Sequence, residues 1–150
     1  MANTYSQVYI HVVHSTKGRA PLIIPEIKDE LLKYITGIVT NRRQKMIAIN
    51  SQSDHIHYFI GMNTELSISE IVREVKRSSS GFINERRLSL GEFRWQDGYG
   101  AFSYSHSQID RVVRYILLQE EHHRKRTFQE EYIAFLKSFG VKYEMKYVFG

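Results

Sequence analysis

From Ser53 to Met62 the chain reads SDHIHYFIGM, an apolar run carrying two histidines two residues apart. Read as a strand, its side chains alternate between faces, so His55 and His57 share one surface while Ile56 lies on the other. Two neutral imidazoles fixed side by side make half of a site for a divalent ion. They would serve equally as a solvent-facing pair, and the strand alone leaves both readings open. What it does require is a sheet, whose other strands the rest of the chain must supply.

Tyr5 to Thr16 (YSQVYIHVVHST) predicts the first strand, with Val8, Ile10 and Val12 alternating with Gln7, Tyr9 and His11. Gly18, Pro21 and Pro25 interrupt it with a loop bearing Lys17 and Arg19. Leu31, Leu32, Ile35, Ile38 and Val39 then recur at helical spacing, predicting a helix from about Glu26 to Arg43. Lys45 to Asn50 is a second strand, joined by a polar turn at Ser51 to Asp54 to the histidine strand as a hairpin. Ser67 with Glu70 has the capping-box pattern and opens a helix through Ile71, Val72 and Val75 toward Phe82 and Ile83, weakened or bent across Ser78 to Gly81. Phe93 to Tyr104 is aromatic and β-like, with a tight turn at Asp97-Gly98 and a fourth strand at its end.

This order predicts an α+β fold of the ferredoxin-like, split βαβ kind: an antiparallel sheet with two helices on one face and the other face free for a site. Beyond it, Ser107 is a candidate N-cap for a helix from Gln108 to Arg124. Thr127 with Glu130 opens a final helix through Tyr132, Phe135, Leu136 and Phe139, which Gly140 closes. VKYEMKYVFG reads as a short extended tail.

At 150 residues, 42% hydrophobic and 25% charged, and with no repeat or linker, the chain is expected to form one domain over 1–150. Its net charge of +5 favours a polyanionic partner. Lys17, Arg19, Arg73, Lys76 and Arg77 are candidates to line a DNA groove, alongside Arg86 and Arg87. Having no cysteine, the chain can form neither disulfides nor thiolate zinc sites. MANTYSQVYI lacks the features of a secretory signal and no run reaches membrane-spanning length, so a cytoplasmic protein with no membrane partner is expected.

In the helix from Gln108, Ile109, Val112, Val113 and Ile116 make an apolar stripe. Tyr115 and Gln119, four residues apart, stack within roughly 40° of each other at its edge. Alone, they read as an amphipathic border residue and a solvated helix former. Joined to DHIHYFI at 54–60, YILLQ at 115–119, the preceding WQDGYGAFSYSHSQID and the trailing EEHHRKRTFQEEY, they give a chain that resembles the single-tyrosine HUH transposases of small bacterial insertion sequences.

That resemblance implies particular roles. His55 and His57 match the metal-binding histidines, Gln119 the third protein ligand, and Tyr115 the nucleophile that attacks a phosphodiester of single-stranded DNA to form a covalent 5′-phosphotyrosine. It implies hairpin recognition at element ends, and a homodimer in which the partner's tyrosine helix commonly completes each site. Two imidazoles and an amide oxygen suit Mg²⁺ or Mn²⁺, leaving the ion its full charge with no carboxylate to repel DNA. The tyrosine needs a base that the sequence does not name. Tyr58 alternates away from the histidines and cannot replace Tyr115. His122 and His123 read as a solvated pair, and His11, His14 and His106 have no assigned role. A related single-strand nicking enzyme acting on chromosomal hairpin repeats, or a catalytically idle hairpin binder, are the other readings.

Overall fold

The computed structural model describes residues 3–119 and 126–149. Strands β1 (Val8–Ser15), β2 (Lys45–Ser51), β3 (His55–Met62) and β4 (Gly100–Tyr104) form one sheet in the order β2-β3-β1-β4, every neighbouring pair antiparallel. Helix α1 (Pro25–Asn41) connects β1 to β2 and α2 (Ile68–Arg86) connects β3 to β4, which is the split βαβ order expected.

One sheet face builds a dry core. Ile10 and Val12 of β1 and Ile56, Tyr58 and Ile60 of β3 meet Ile27, Leu31, Ile35 and Val39 of α1 and Ile71, Val72, Val75 and Ile83 of α2. The i, i+4 spacing on α1 puts its four buried residues on one stripe, and each such side chain stabilises the fold by about 1.5–3 kcal/mol relative to exposure. Pro25 opens α1 where its missing N–H costs nothing. Ser67 and Glu70 form the predicted capping box of α2. The expected weakening at Ser78 to Gly81 is absent, because the inward Ser79 hydroxyl bonds back to the Val75 carbonyl and accepts the Trp95 indole N–H at 2.9 Å. Ser78 and Ser80 likewise donate to groups one turn back.

The other face is not free. Helices α3 (Ile109–Leu117) and α4 (Phe128–Ser138) lie on it. Ala48 and Phe59 pack with Val112 and Ile116, while Val13 and Phe102 pack with Phe128, Tyr132 and Leu136. Apolar residues on both faces of the strands demand two covers. Gly100 lets α4 approach: a Cβ there would lie 2.8 Å from the Tyr132 ring.

Local structure after β4 also departs from expectation. Ser105, not Ser107, forms a capping box with Gln108, over a 3-10 turn at His106–Gln108 that leads into α3. Helical geometry then lapses at Leu118 (φ −102°, ψ 28°), so Gln119 follows a break instead of continuing one helix. The rest of the predicted helix, with His122 and His123, lies outside the described residues. Thr127 and Glu130 form the predicted capping box of α4, and Gly140 (φ 68°) follows its end. The tail is not wholly extended: Met145–Val148 forms a short helix, α5. Among the described residues no helix is long and apolar enough to cross a membrane.

Candidate metal and nucleophile site

His55 and His57 point to one side of β3, as alternation requires, but both are completely buried under α3 and α4. Each ring is held by its Nδ1. That of His55 lies 2.7 Å from Asp54 Oδ1, and that of His57 lies 2.7 Å from His11 Nε2. Their Nε2 atoms consequently face a common point, 3.8 Å and 3.1 Å from Glu131 Oε1. Phe128 stacks on the His55 ring at 4.4 Å, closing the site from the α4 side. Burial, reinforced by neighbouring His57, holds the pKa of His11 well below that of an ordinary histidine. His11 is thus a neutral hydrogen-bonding partner, the kind of outer support that fixes the tautomer and aim of a metal-binding imidazole.

Glu131 is the residue that sequence reasoning missed. Phe128, Glu131, Tyr132, Phe135 and Leu136 occupy i, i+3, i+4, i+7 and i+8 of α4, so the acid sits in the apolar stripe. That position was a legible signal, masked by the adjacent Glu130, which caps the helix. Glu131 is 1% exposed and is the buried carboxylate among the described residues. A buried carboxylate is costly unless its charge is balanced. His55, His57 and Glu131 each offer one donor atom, all within 4.8 Å of one another, and a divalent cation between them would balance it. The donor set of two imidazoles and one carboxylate therefore fits such an ion. It also corrects the expectation of a site without a carboxylate.

The second oxygen of Glu131 accepts the hydroxyl of Tyr115. The Tyr115 ring stands edge-on to His57, centroids 6.0 Å apart, so nucleophile candidate and histidines meet within one chain. Burial first, then the charge of Glu131 and its hydrogen bond, keep the phenol protonated well above its usual range. Gln119 opposes that rise by hydrogen-bonding to the same phenol. Its Nε2 also donates to the Tyr115 carbonyl at 3.3 Å, and the side chain is fully buried. Gln119 thus stays beside Tyr115 although helical geometry lapses at Leu118 between them, where an unbroken helix had been expected.

A β-bulge places α3. Between Met46 and Ala48 the β2–β3 register shifts by one residue, which returns Asn50 to the site face. Asn50 Nδ2 donates at 2.9 Å to the Ile116 carbonyl, satisfying a group that the end of α3 would otherwise leave bare.

The candidate DNA-binding residues divide. Arg73, Lys76 and Arg77 line a cleft of about 530 Å³ between α2 and the loop before β4, joined by Arg94 and Tyr99. Lys76 is half-buried and its ammonium donates to the carbonyls of Gln96 and Gly98, at 2.8 and 2.7 Å. Lys17 approaches the same loop and pairs with Asp97 at 3.2 Å. Arg77 pairs with Glu74. Arg19 sits elsewhere, over the Phe149 ring. Tyr58 faces the dry core, as expected, where its hydroxyl meets His14 Nε2 at 3.0 Å.

With this geometry in place, the comparisons with known proteins are informative. The model of the family described as "Transposase IS200 like" matches residues 4–119. The ISDra2 transposase TnpA of Deinococcus radiodurans is 21% identical over 120 residues, covering 77% of this chain and 86% of that protein. A solved transposase structure from the same organism matches with a TM-score of 0.64 at 19% identity, over 79% of this chain and 95% of that one. A REP-associated tyrosine transposase bound to a REP hairpin matches with a TM-score of 0.62 at 15% identity, over 82% of this chain and 73% of that one.

Proposed function

Because the chain belongs to the IS200-like transposase family, we propose that it cleaves and rejoins single-stranded DNA, with Tyr115 as the nucleophile and His55, His57, Glu131 and Gln119 as the residues that hold Mg²⁺ or Mn²⁺. The observation that carries this reading is the convergence of the Tyr115 hydroxyl and both imidazoles on the buried Glu131 carboxylate.

A divalent ion bound there would offset charge on the phosphate oxygens. The chain's own residues do the rest. Glu131 accepts the phenolic hydrogen bond and receives the proton as the Tyr115 oxygen attacks phosphorus. A bond forms between that oxygen and the 5′ phosphate, the bond to the 3′ oxygen breaks, and the departing oxygen takes up a proton as a 3′-hydroxyl. The reverse step, with a new 3′-hydroxyl, rejoins the strand without a nucleotide cofactor. Gln119, hydrogen-bonded to the phenol, steadies the developing negative charge.

We further propose that the cleft lined by Arg73, Lys76 and Arg77 receives the phosphates of a hairpin, with Lys17 at its border. Residues 1–150 would act as one domain, at the bacterial chromosome in the cytoplasm. A homodimer remains part of this reading, resting on exposed apolar residues such as Leu117 and Leu118 and on the two edge strands. In this reading Tyr115 acts on the site of its own chain, supported by its ring contact with His57 at 6.0 Å, and completion by a partner's tyrosine helix is the alternative. Sedimentation at micromolar concentration distinguishes the dimer from a 17.7 kDa particle. The decisive test incubates a labelled hairpin-bearing single strand with Mn²⁺ and resolves it on a denaturing gel. A protein–DNA adduct is expected for the parent and none for Tyr115→Phe, and an adduct in the Phe variant would overturn the assignment.

A further inference from the structure

We propose that the cleft between α3 and α4 is a nucleobase pocket, receiving a base of the single strand beside the phosphate that Tyr115 attacks. The inference rests on the strand-cleaving reading above and adds to it where the strand lies and what holds it. The cleft measures about 480 Å³, and Tyr115 forms part of its wall, so an occupant is adjacent to the nucleophile. Its other walls are aromatic. Tyr104 and Phe139 stand edge to face at 5.5 Å, and Phe135 lies beside Phe139 at 6.4 Å with a tilt of 28°. Such rings offer the stacking surface that single-strand binders use, and Phe139, with Phe102 packed against it at 4.8 Å, is still 38% exposed.

Charge decides the class of occupant. Arg111 and Arg126 lie on the cleft, and among the described residues neither is ion-paired. An apolar, aromatic cavity edged by two guanidinium groups complements a flat aromatic group carried on a polyanion, which a nucleotide is and a greasy peptide is not. Gln108 adds polarity: its amide oxygen accepts from Ser105, leaving its NH₂ group as a donor for a base edge. The family match ends at residue 119, so Arg126, Phe135 and Phe139 belong to a part of the chain outside that shared region.

The test uses photochemical coupling. Single strands carrying 5-iododeoxyuridine at random positions are bound to the full-length protein, irradiated, and the coupled peptides mapped by mass spectrometry. Coupling should fall on Tyr104, Phe135 or Phe139. Ser138→Trp, an exposed position of the cleft at the end of α4, should fill the pocket and reduce that coupling about tenfold, the scale of one lost base stack. Phe139→Leu, which removes a ring without filling the space, should reduce it as well and guards against misfolding of the Trp variant. Coupling confined to other residues, or undiminished in both variants, overturns the pocket. The Tyr115 adduct measured in the same samples separates the two readings: adduct without coupling in the cleft defeats the pocket alone, and absence of both defeats the cleavage reading with it.

Discussion

The two faces of the sheet are built from alternate residues of the same strands, yet they end in opposite chemistry. On the α1/α2 face, His14 is fully buried and its polarity is spent locally, on the Tyr58 hydroxyl at 3.0 Å under the edge of Trp95 at 4.6 Å. On the α3/α4 face, His11 is just as buried, but it passes its hydrogen bond to His57, which meets Glu131, which meets Tyr115. The strands alone do not separate the two outcomes; the covers do. Helices α1 and α2 present long apolar stripes broken only by the Ser79 hydroxyl, whereas α3 and α4 are short and bring the ionisable Tyr115 and Glu131 to the site. To three strand histidines on one face, against His14 on the other, the covering layer adds the ionisable side chains of Tyr115 and Glu131.

Removing those side chains should break the contrast most sharply. Tyr115→Phe is expected to lower covalent adduct formation by at least about 10³-fold while leaving strand affinity, read by fluorescence anisotropy, near the parent value. Next in size, Glu131→Gln keeps the shape of α4 but removes the buried charge, and Mn²⁺ affinity measured by calorimetry should fall by about 10- to 100-fold. His57→Ala should also lose metal-dependent cleavage, and because the ring is wholly buried it should cost about 1–3 kcal/mol in urea unfolding, unlike a surface histidine.

Smaller changes sharpen the comparison. Gly100→Ala pushes on Tyr132 and should cost about 1–3 kcal/mol by urea unfolding, with slower cleavage as α4 shifts. On the dry face, Tyr58→Phe should cost about 1 kcal/mol in the same assay and leave cleavage rates unchanged. Slightest of all is a pH effect outside both faces. Burial lowers the pKa of Lys76 from 10.5 to about 8, so its share of strand affinity should fade as pH rises through about 8. Stability moves the other way, since between about 8 and 10.5 the unfolded chain holds the proton more tightly than the fold. A Lys76→Met protein whose affinity shows the same pH profile would remove that assignment.

The features legible in the sequence were periodic or local: the alternating histidine strand, the strand and helix order, and the Ser67 and Thr127 capping boxes. Tyr115 stood out by its spacing to Gln119 together with family resemblance. What was not legible depended on docking. Whether His55 and His57 face solvent is decided by α3 and α4, which are distant in sequence. The break at Leu118 is likewise tertiary, since an i, i+4 pair reads the same in one helix or across a lapse. Glu131 had a local signal in its stripe position, but a neighbouring glutamate with a different task concealed it. Serines at 78 to 80 read as weakness because their hydroxyl partners, Trp95 among them, are invisible to propensity.

In the proposed reaction, the bond between Tyr115 and Glu131 has a lifetime set by the chemistry itself. A phenol esterified to phosphate has no hydrogen to give, so Tyr115 can donate to Glu131 only before the cut and after the strand is released. Through this donor α4 is tied to α3. In the proposed covalent state α4 would keep its contact with His57 and its packing through Phe128, Tyr132 and Leu136 but lose this tie to α3, so the docking of α3 against α4 would report from within the fold whether a strand is attached.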